Sequence, residues 1–156
     1  MTRHSELYEH DIDAWLNHQV HLLKTGRLLE VDVEHLIEEL QDMGKSNRRE
    51  LESRLIILIA HLLKWQLQLN ALPDTWKALE GKSGRNTIIE QRAQLLYLLK
   101  KVPNLKAMLP EAIAEAYPEA RRLDIKETGL DAAVFPERCP YAPERLLDED
   151  ADPTPE

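Results

Sequence analysis

Arg92 lies four positions after Ile88 and three before Leu95, so helical phase sets its guanidinium near the centre of the apolar face formed by Ile88, Leu95 and Leu99. A charge there needs a carboxylate or several carbonyl partners. Its planar fork matches two oxygens of a carboxylate or phosphate, which is the chemistry of an anion clamp. The favoured alternative is a buried pair that fixes helix register, with Glu38, Glu39 or Glu127 as the expected internal partner. His61 and Lys64, three apart, share the narrow polar strip of an otherwise apolar helix. A neutral imidazole in that position can act as a base or a ligand. No second histidine follows four positions on to complete a metal pair, so a helix contact or a solvated edge is the stronger expectation. Glu38, Glu39 and Asp42 offer carboxylates for acid-base work or a hard cation. A metal site in a bundle would also draw on Glu-x-x-His, which this chain lacks, so an acidic solvated face is expected. The candidate ligand-binding set is therefore Arg92, His61, Lys64, Glu38 and Glu39, with a small anion as the ligand class. No catalytic residue, metal or cofactor is assigned.

The remaining reactive side chains carry weaker signals. His18 and His21, with His10, give too few imidazoles for a metal shell. Cys139, the only cysteine, has one local cation, Arg138, and sits in a proline-rich segment that looks like packing, so an inert thiol is expected. Lys45, Arg48 and Arg49, with Arg121, Arg122 and Lys126, form local basic groups among acidic neighbours, the usual pattern of a salt-bridged surface. Phosphate-loop, dinucleotide-binding and nucleophile-elbow motifs do not occur.

The elements that must hold these residues are helical, because the glycines and prolines fall mostly where helices would stop and few runs alternate with period two. A first helix is expected from Glu6 to Thr25, ending at Gly26, on the repeat of Tyr8, Ile12, Trp15, Leu16, Gln19, Leu22 and Leu23. Asp32 is placed to cap a second, with Val33, Leu36, Ile37 and Leu40 as its core side and Gly44 as its stop. A third, Ser46 to Asn70, is apolar over most of its circumference and reads as the central element of a bundle. Leu72 to Arg85 reads as a loop carrying Trp76. A fourth helix, with Thr87 and Glu90 at capping-box spacing, ends at Pro103. Pro110 suits the first turn of a helix reaching Gly129, with a kink or two abutting helices at Pro118. Leu130 to Tyr141 reads as an extended strap, and Pro143 to Leu147 as a last short helix.

The chain has 156 residues, enough for one domain with its own core. The fold expected is all-α, a helical bundle with a long central helix and a C-terminal strap over residues 1–147, followed by a disordered acidic tail, 148–156. The longest apolar run, Leu55 to Ala60, is far too short to span a membrane, and the N-terminus lacks a signal pattern, so the protein is expected to stay in the cytoplasm. The net charge of -8 disfavours broad binding of nucleic acid. Residues 146–156 carry -5 of it, which leaves the body near balance at -3 and keeps a local basic patch open.

The blocks YEHDIDAWL (Tyr8 to Leu16), HLIEELQDMGKSNRRELESRL (His35 to Leu55), AHLLKWQ (Ala60 to Gln66), NTIIEQR (Asn86 to Arg92), AYPEARRLDIKETGL (Ala116 to Leu130) and FPERCPY (Phe135 to Tyr141) occur in one order. In that order the chain resembles, over about residues 7 to 147, the bacterial family catalogued as domain of unknown function twenty-nine. The resemblance implies a bacterial, cytoplasmic, all-helical domain and supplies no activity or catalytic residue. Two positions depart from it: the family usually has Trp where this chain has Gly84, and seldom has proline at Pro118. The function expected first is a non-enzymatic module that forms a homodimer or binds a protein partner through a residual apolar face. A small enzyme or anionic-ligand binder is the alternative, and a nucleic-acid binder with a local patch the third.

Overall fold

The computed structural model describes residues 2–67 and 74–151, and the side chains of 6–67 and 82–151. The elements are α1 (Thr2–His10), α2 (Ile12–Lys24), α3 (Val33–Leu67), α4 (Asp74–Lys101), α5 (Leu109–Thr128) and α6 (Pro143–Leu147). Short 3-10 segments occur at Leu28–Glu30, Pro103–Met108 and Ala132–Val134, and no strand occurs among the described residues. The all-α expectation and the long central helix therefore hold. The chain forms two compact units, Met1–Ser46 and Asn47–Glu156.

In the first unit the single helix expected from Glu6 to Thr25 is two. Asp11 breaks it: its backbone leaves helical geometry (φ -149°, ψ 82°) and its carboxylate accepts from the Ala14 N–H at 3.0 Å, capping α2. Aspartate gains more as an N-cap than inside a helix, which the hydrophobic repeat does not register. Gly26 ends α2 as expected. It takes φ +71°, and Arg27 N–H returns to Leu22 O at 2.9 Å. Asp32 lies at the start of α3 as expected, its Oδ1 3.5 Å from the His35 N–H.

Gly44 does not stop the second helix. A glycine ends a helix by turning left-handed, and Gly44 does not. Its cost inside a helix, about 1 kcal/mol, is small against a helix of 35 residues, so the second and third expected helices are one, α3.

The second unit is a bundle around the C-terminal part of α3. Leu51, Leu55, Leu58, Ile59 and Leu63 are 0 % exposed and share a core with Ile88, Leu95 and Leu99 of α4 and Ala112, Ala116, Tyr117 and Ala120 of α5. The loop expected over Leu72 to Arg85 is instead helix from Asp74. Gly84 belongs to that helix for a packing reason: a Cβ there would stand 3.4 Å from Trp65 Cε3, so the indole of α3 lies against the bare backbone of α4. The side chain of Trp76 is outside the described residues. α5 passes Pro118 as one helix rather than two abutting ones, with the proline on its exposed side, and Gly129 caps it at φ +70°.

The strap follows as expected. Phe135 and Tyr141 are buried in the core, Tyr117 Oη donates to Pro136 O, and Arg121 Nη2 donates to Ala132 O at 2.8 Å. α6 then packs on α4 and α5, burying Leu146. Of the acidic tail, 148–151 is described and 152–156 lies outside.

Candidate functional site

The five residues singled out from the sequence divide between the units. Arg92, 3 % exposed, lies on α4 in the second unit. Its partners are carbonyls, not the carboxylates of Glu38, Glu39 or Glu127: Nε donates to Leu146 O at 3.0 Å, Nη1 to Ala151 O at 2.8 Å and Nη2 to Arg145 O at 3.2 Å. Burial lowers its pKa, and Asp148 acts in the opposite direction. The fork thus ties α4 to the C-terminal turn. His61 Nδ1 lies 2.9 Å from Ile57 O of the preceding turn, and Lys64 Nζ reaches Glu127 at 3.4 Å. In the first unit Glu38 is exposed and Glu39 accepts a hydrogen bond from Tyr8. Among the described residues no hydrogen bond or ion pair joins any two of the five.

Two groups of residues escaped the sequence reading. The first is the interior of the N-terminal unit. Tyr8 Oη donates to Glu39 Oε1 at 2.6 Å, Trp15 Nε1 donates to Asp32 Oδ2 at 3.0 Å, and the Asp32 N–H donates to Gln19 Oε1 at 2.8 Å. His35 Nδ1 lies 2.7 Å from Asp32 Oδ2, and its ring stacks on Tyr8 with centroids 4.2 Å apart. The acceptor Glu39 pushes the Tyr8 hydroxyl up to about 12. Burial works to raise the Asp32 carboxyl, but the hydrogen bonds from His35 and Trp15 outweigh it and hold the carboxyl below its usual range. The earlier Tyr8 pairs with the later Glu39 and the later Trp15 with the earlier Asp32, so the α1–α2 segment and the start of α3 run antiparallel. The signal in the sequence was a polar row, Asp32, His35 and Glu39, at three- and four-residue spacing opposite Tyr8, Trp15 and Gln19. Beside it an open groove of about 1240 Å³ is lined by Glu6, His10, His18, Arg27, Glu30 and Glu34 among others. Arg27 there is paired with Glu30. No group of three His, Cys, Asp or Glu able to hold a metal occurs among the described residues.

That polar packing overturns the expected core side of the helix after Asp32. Of its four residues only Leu36 is half-buried; Val33, Ile37 and Leu40 are 56 %, 51 % and 56 % exposed, and Ile12, Leu16, Val20 and Leu23 of α2 are exposed too. The inward side is the one carrying Asp32, His35 and Glu39, because aromatic stacking and charge-assisted hydrogen bonds close the unit where apolar contact was expected.

The second group surrounds Asp124 in the other unit, which is 1 % exposed and has no hydrogen-bond partner on Oδ2. Burial, then the nearby Glu127, push its carboxyl up to about 7, against the pull of Lys64. Burial also raises Cys139, whose thiol donates to Tyr141 O at 3.6 Å, in keeping with an inert thiol. Of the basic groups, Arg48 bridges Glu52, Glu111 and Glu115, Arg122 bridges Glu119, and Arg121 is held by backbone carbonyls of the strap. No helix among the described residues is long and apolar enough to cross a membrane.

No curated protein and no solved structure matches the chain. A family model does match, over residues 7–151 of the 156, and the chain belongs to that family, Domain of unknown function DUF29.

Proposed function

We propose that this protein is a non-enzymatic interaction module that docks through the apolar face of its N-terminal unit. One observation carries the reading. The spacing Val33, Ile37, Leu40, Gly44 continues in the sequence through Leu51, Leu55, Leu58 and Leu62. The later leucines are at most 2 % exposed, whereas Val33, Ile37 and Leu40 are more than half exposed. Scattered apolar residues on a surface are ordinary, but a stripe on a helix, adjoined by a second on α2, is the pattern of an interaction site. Our reading is of a bacterial cytoplasmic protein, as the family resemblance implies.

The test compares the full chain with Ile37→Asp, a substitution at an exposed position that leaves the helix content by circular dichroism unchanged. Association is followed by light scattering, and by capture on the immobilised chain with each captured protein then purified and rebound. The reading requires at least one association, with itself or with a rebound partner, that Ile37→Asp abolishes. Associations indifferent to that substitution, or none at all, overturn it.

A further inference from the structure

Resting on that reading, we propose that the occupant of the apolar face is a second copy of this chain, with the start of α3 packed antiparallel against its counterpart. Four observations lead to a second copy rather than to another partner.

The first is area. Ile12, Leu16, Val20, Leu23, Val33, Ile37, Leu40 and Met43 expose between 39 % and 59 % of their surfaces. Together they leave open on the order of 700 Å², near the ~800 Å² that each side contributes to a standard interface.

The second is that the stripes lie on one side. In α2 the exposed stripe is about a quarter turn from the buried Trp15, Gln19 and Leu22. In α3 it is displaced in the same rotational sense from the inward Asp32, His35 and Glu39. The displacement is larger in α3, more than a third of a turn, so both stripes turn to the same side of the unit, and the pairs Tyr8–Glu39 and Trp15–Asp32 set the α2 stripe past the start of α3.

The third is where the charge goes. Residues 1–46 hold ten acidic and four basic residues, a net -6, which at first sight suits a basic partner. Such a partner needs carboxylates around the apolar face. Glu38, Glu39 and Asp42 lie a third of a turn or more from the Val33, Ile37, Leu40 stripe, and Glu39 is turned inward to Tyr8. The charges that do flank the stripes, Asp13 and Lys24 on α2 and Glu34 and Lys45 on α3, balance, so like-charged copies can meet there.

The fourth is self-complementarity. An antiparallel pair centred between Ile37 and Leu40 seats each Ile37 against Leu40 of the second copy, and each Val33 against Gly44 of the second copy, twice over. A Cβ at Gly44 would meet nothing within 4 Å, so this helix-interior glycine faces open space and leaves room for a close approach. Glu34 and Lys45, both exposed and on the same flank of the stripe, meet as two oppositely charged pairs in that register.

Light scattering of the full chain over about 1–200 µM is expected to give twice the chain mass of 18.1 kDa. Ile37→Asp and Leu40→Asp are each expected to weaken association by about a hundredfold or more. Glu34→Lys alone and Lys45→Glu alone are expected to weaken it about tenfold, and an equimolar mixture of those two variants to restore it, because the mixed pair regains both attractions. A monomer over the whole range overturns the second copy. A dimer unaffected by Ile37→Asp and Leu40→Asp, or a mixture no tighter than its components, overturns it too. If the chain is monomeric yet a rebound partner is lost with Ile37→Asp, the face remains a docking surface and only its occupant is wrong.

Discussion

Arg92 and Ala151, 59 positions apart, are joined by a 2.8 Å hydrogen bond from Nη1 to the backbone carbonyl oxygen. With the two further bonds to Arg145 O and Leu146 O, one side chain on α4 fixes the last described residues of the chain. Replacing Arg92 by Met removes three charge-assisted bonds and leaves carbonyls at the edge of the core without donors. The expected cost is about 2–4 kcal/mol. Arg92→Lys recovers little, because an ammonium cannot reproduce the fork. Urea unfolding gives the stability, and hydrogen exchange is expected to rise over 145–151 before any other part of the second unit. Unchanged protection there would contradict the tie.

Asp124 makes the second unit less stable in alkali. Its folded pKa, about 7, lies above the ordinary aspartate value, so the unfolded chain gives up its proton first. The stabilisation is complete below the ordinary value and is lost as pH rises through 7. Between pH 4 and pH 8 the loss from this group approaches about 4 kcal/mol. Asp124→Asn is expected to be more stable than the parent at pH 8 and to flatten the slope between pH 5 and pH 8. Parallel stability curves for the two proteins would contradict it.

The N-terminal unit responds in the opposite direction. The Asp32 carboxyl is held below its usual range by His35 and Trp15, so its contribution is present above the ordinary aspartate value and is lost as pH falls through the lower folded one. Asp32→Ala also strands the Trp15 N–H inside the unit, at an expected cost of about 2–3 kcal/mol at pH 7. Trp15 fluorescence reports the change in a background where Trp65 and Trp76 are replaced by Phe. No loss of stability at pH 7 would mean that the polar row does not close the unit.

Gly44→Ala separates folding from association. Alanine inside a helix is favoured by about 0.5–1 kcal/mol over glycine, and the space beside Gly44 is open, so helix stability is expected to rise. The same methyl group occupies the place proposed for Val33 of the second copy, so self-association is expected to weaken several-fold. A variant that gains in both respects would contradict the register proposed for the dimer.

The sequence by itself determined that the chain is helical, and it marked several of the helix ends. Gly26, Asp32, Pro110 and Gly129 act through local backbone preference, and local preference is what a sequence displays. It also determined the central helix, since Leu51, Leu55, Leu58 and Leu62 are apolar on a side that must be covered, and it marked Arg92 as a buried charge. Asp11, Gly44 and Gly84 were misread because a cap, a tolerated glycine and a close helix approach look alike until the neighbouring chain is known. Only the tertiary structure decided which side of the helices in the N-terminal unit turned inward. Val33, Ile37 and Leu40 repeat as regularly as the leucines that follow them, and periodicity gives the face without naming what covers it. In the first unit Asp32, His35 and Glu39 closed on Tyr8, Trp15 and Gln19, because hydrogen bonds need partners at a distance and in an orientation that no spacing along one helix contains. The partners of Arg92 were hidden for the same reason: backbone carbonyls carry no residue type, and folding alone brings Arg145, Leu146 and Ala151 to it.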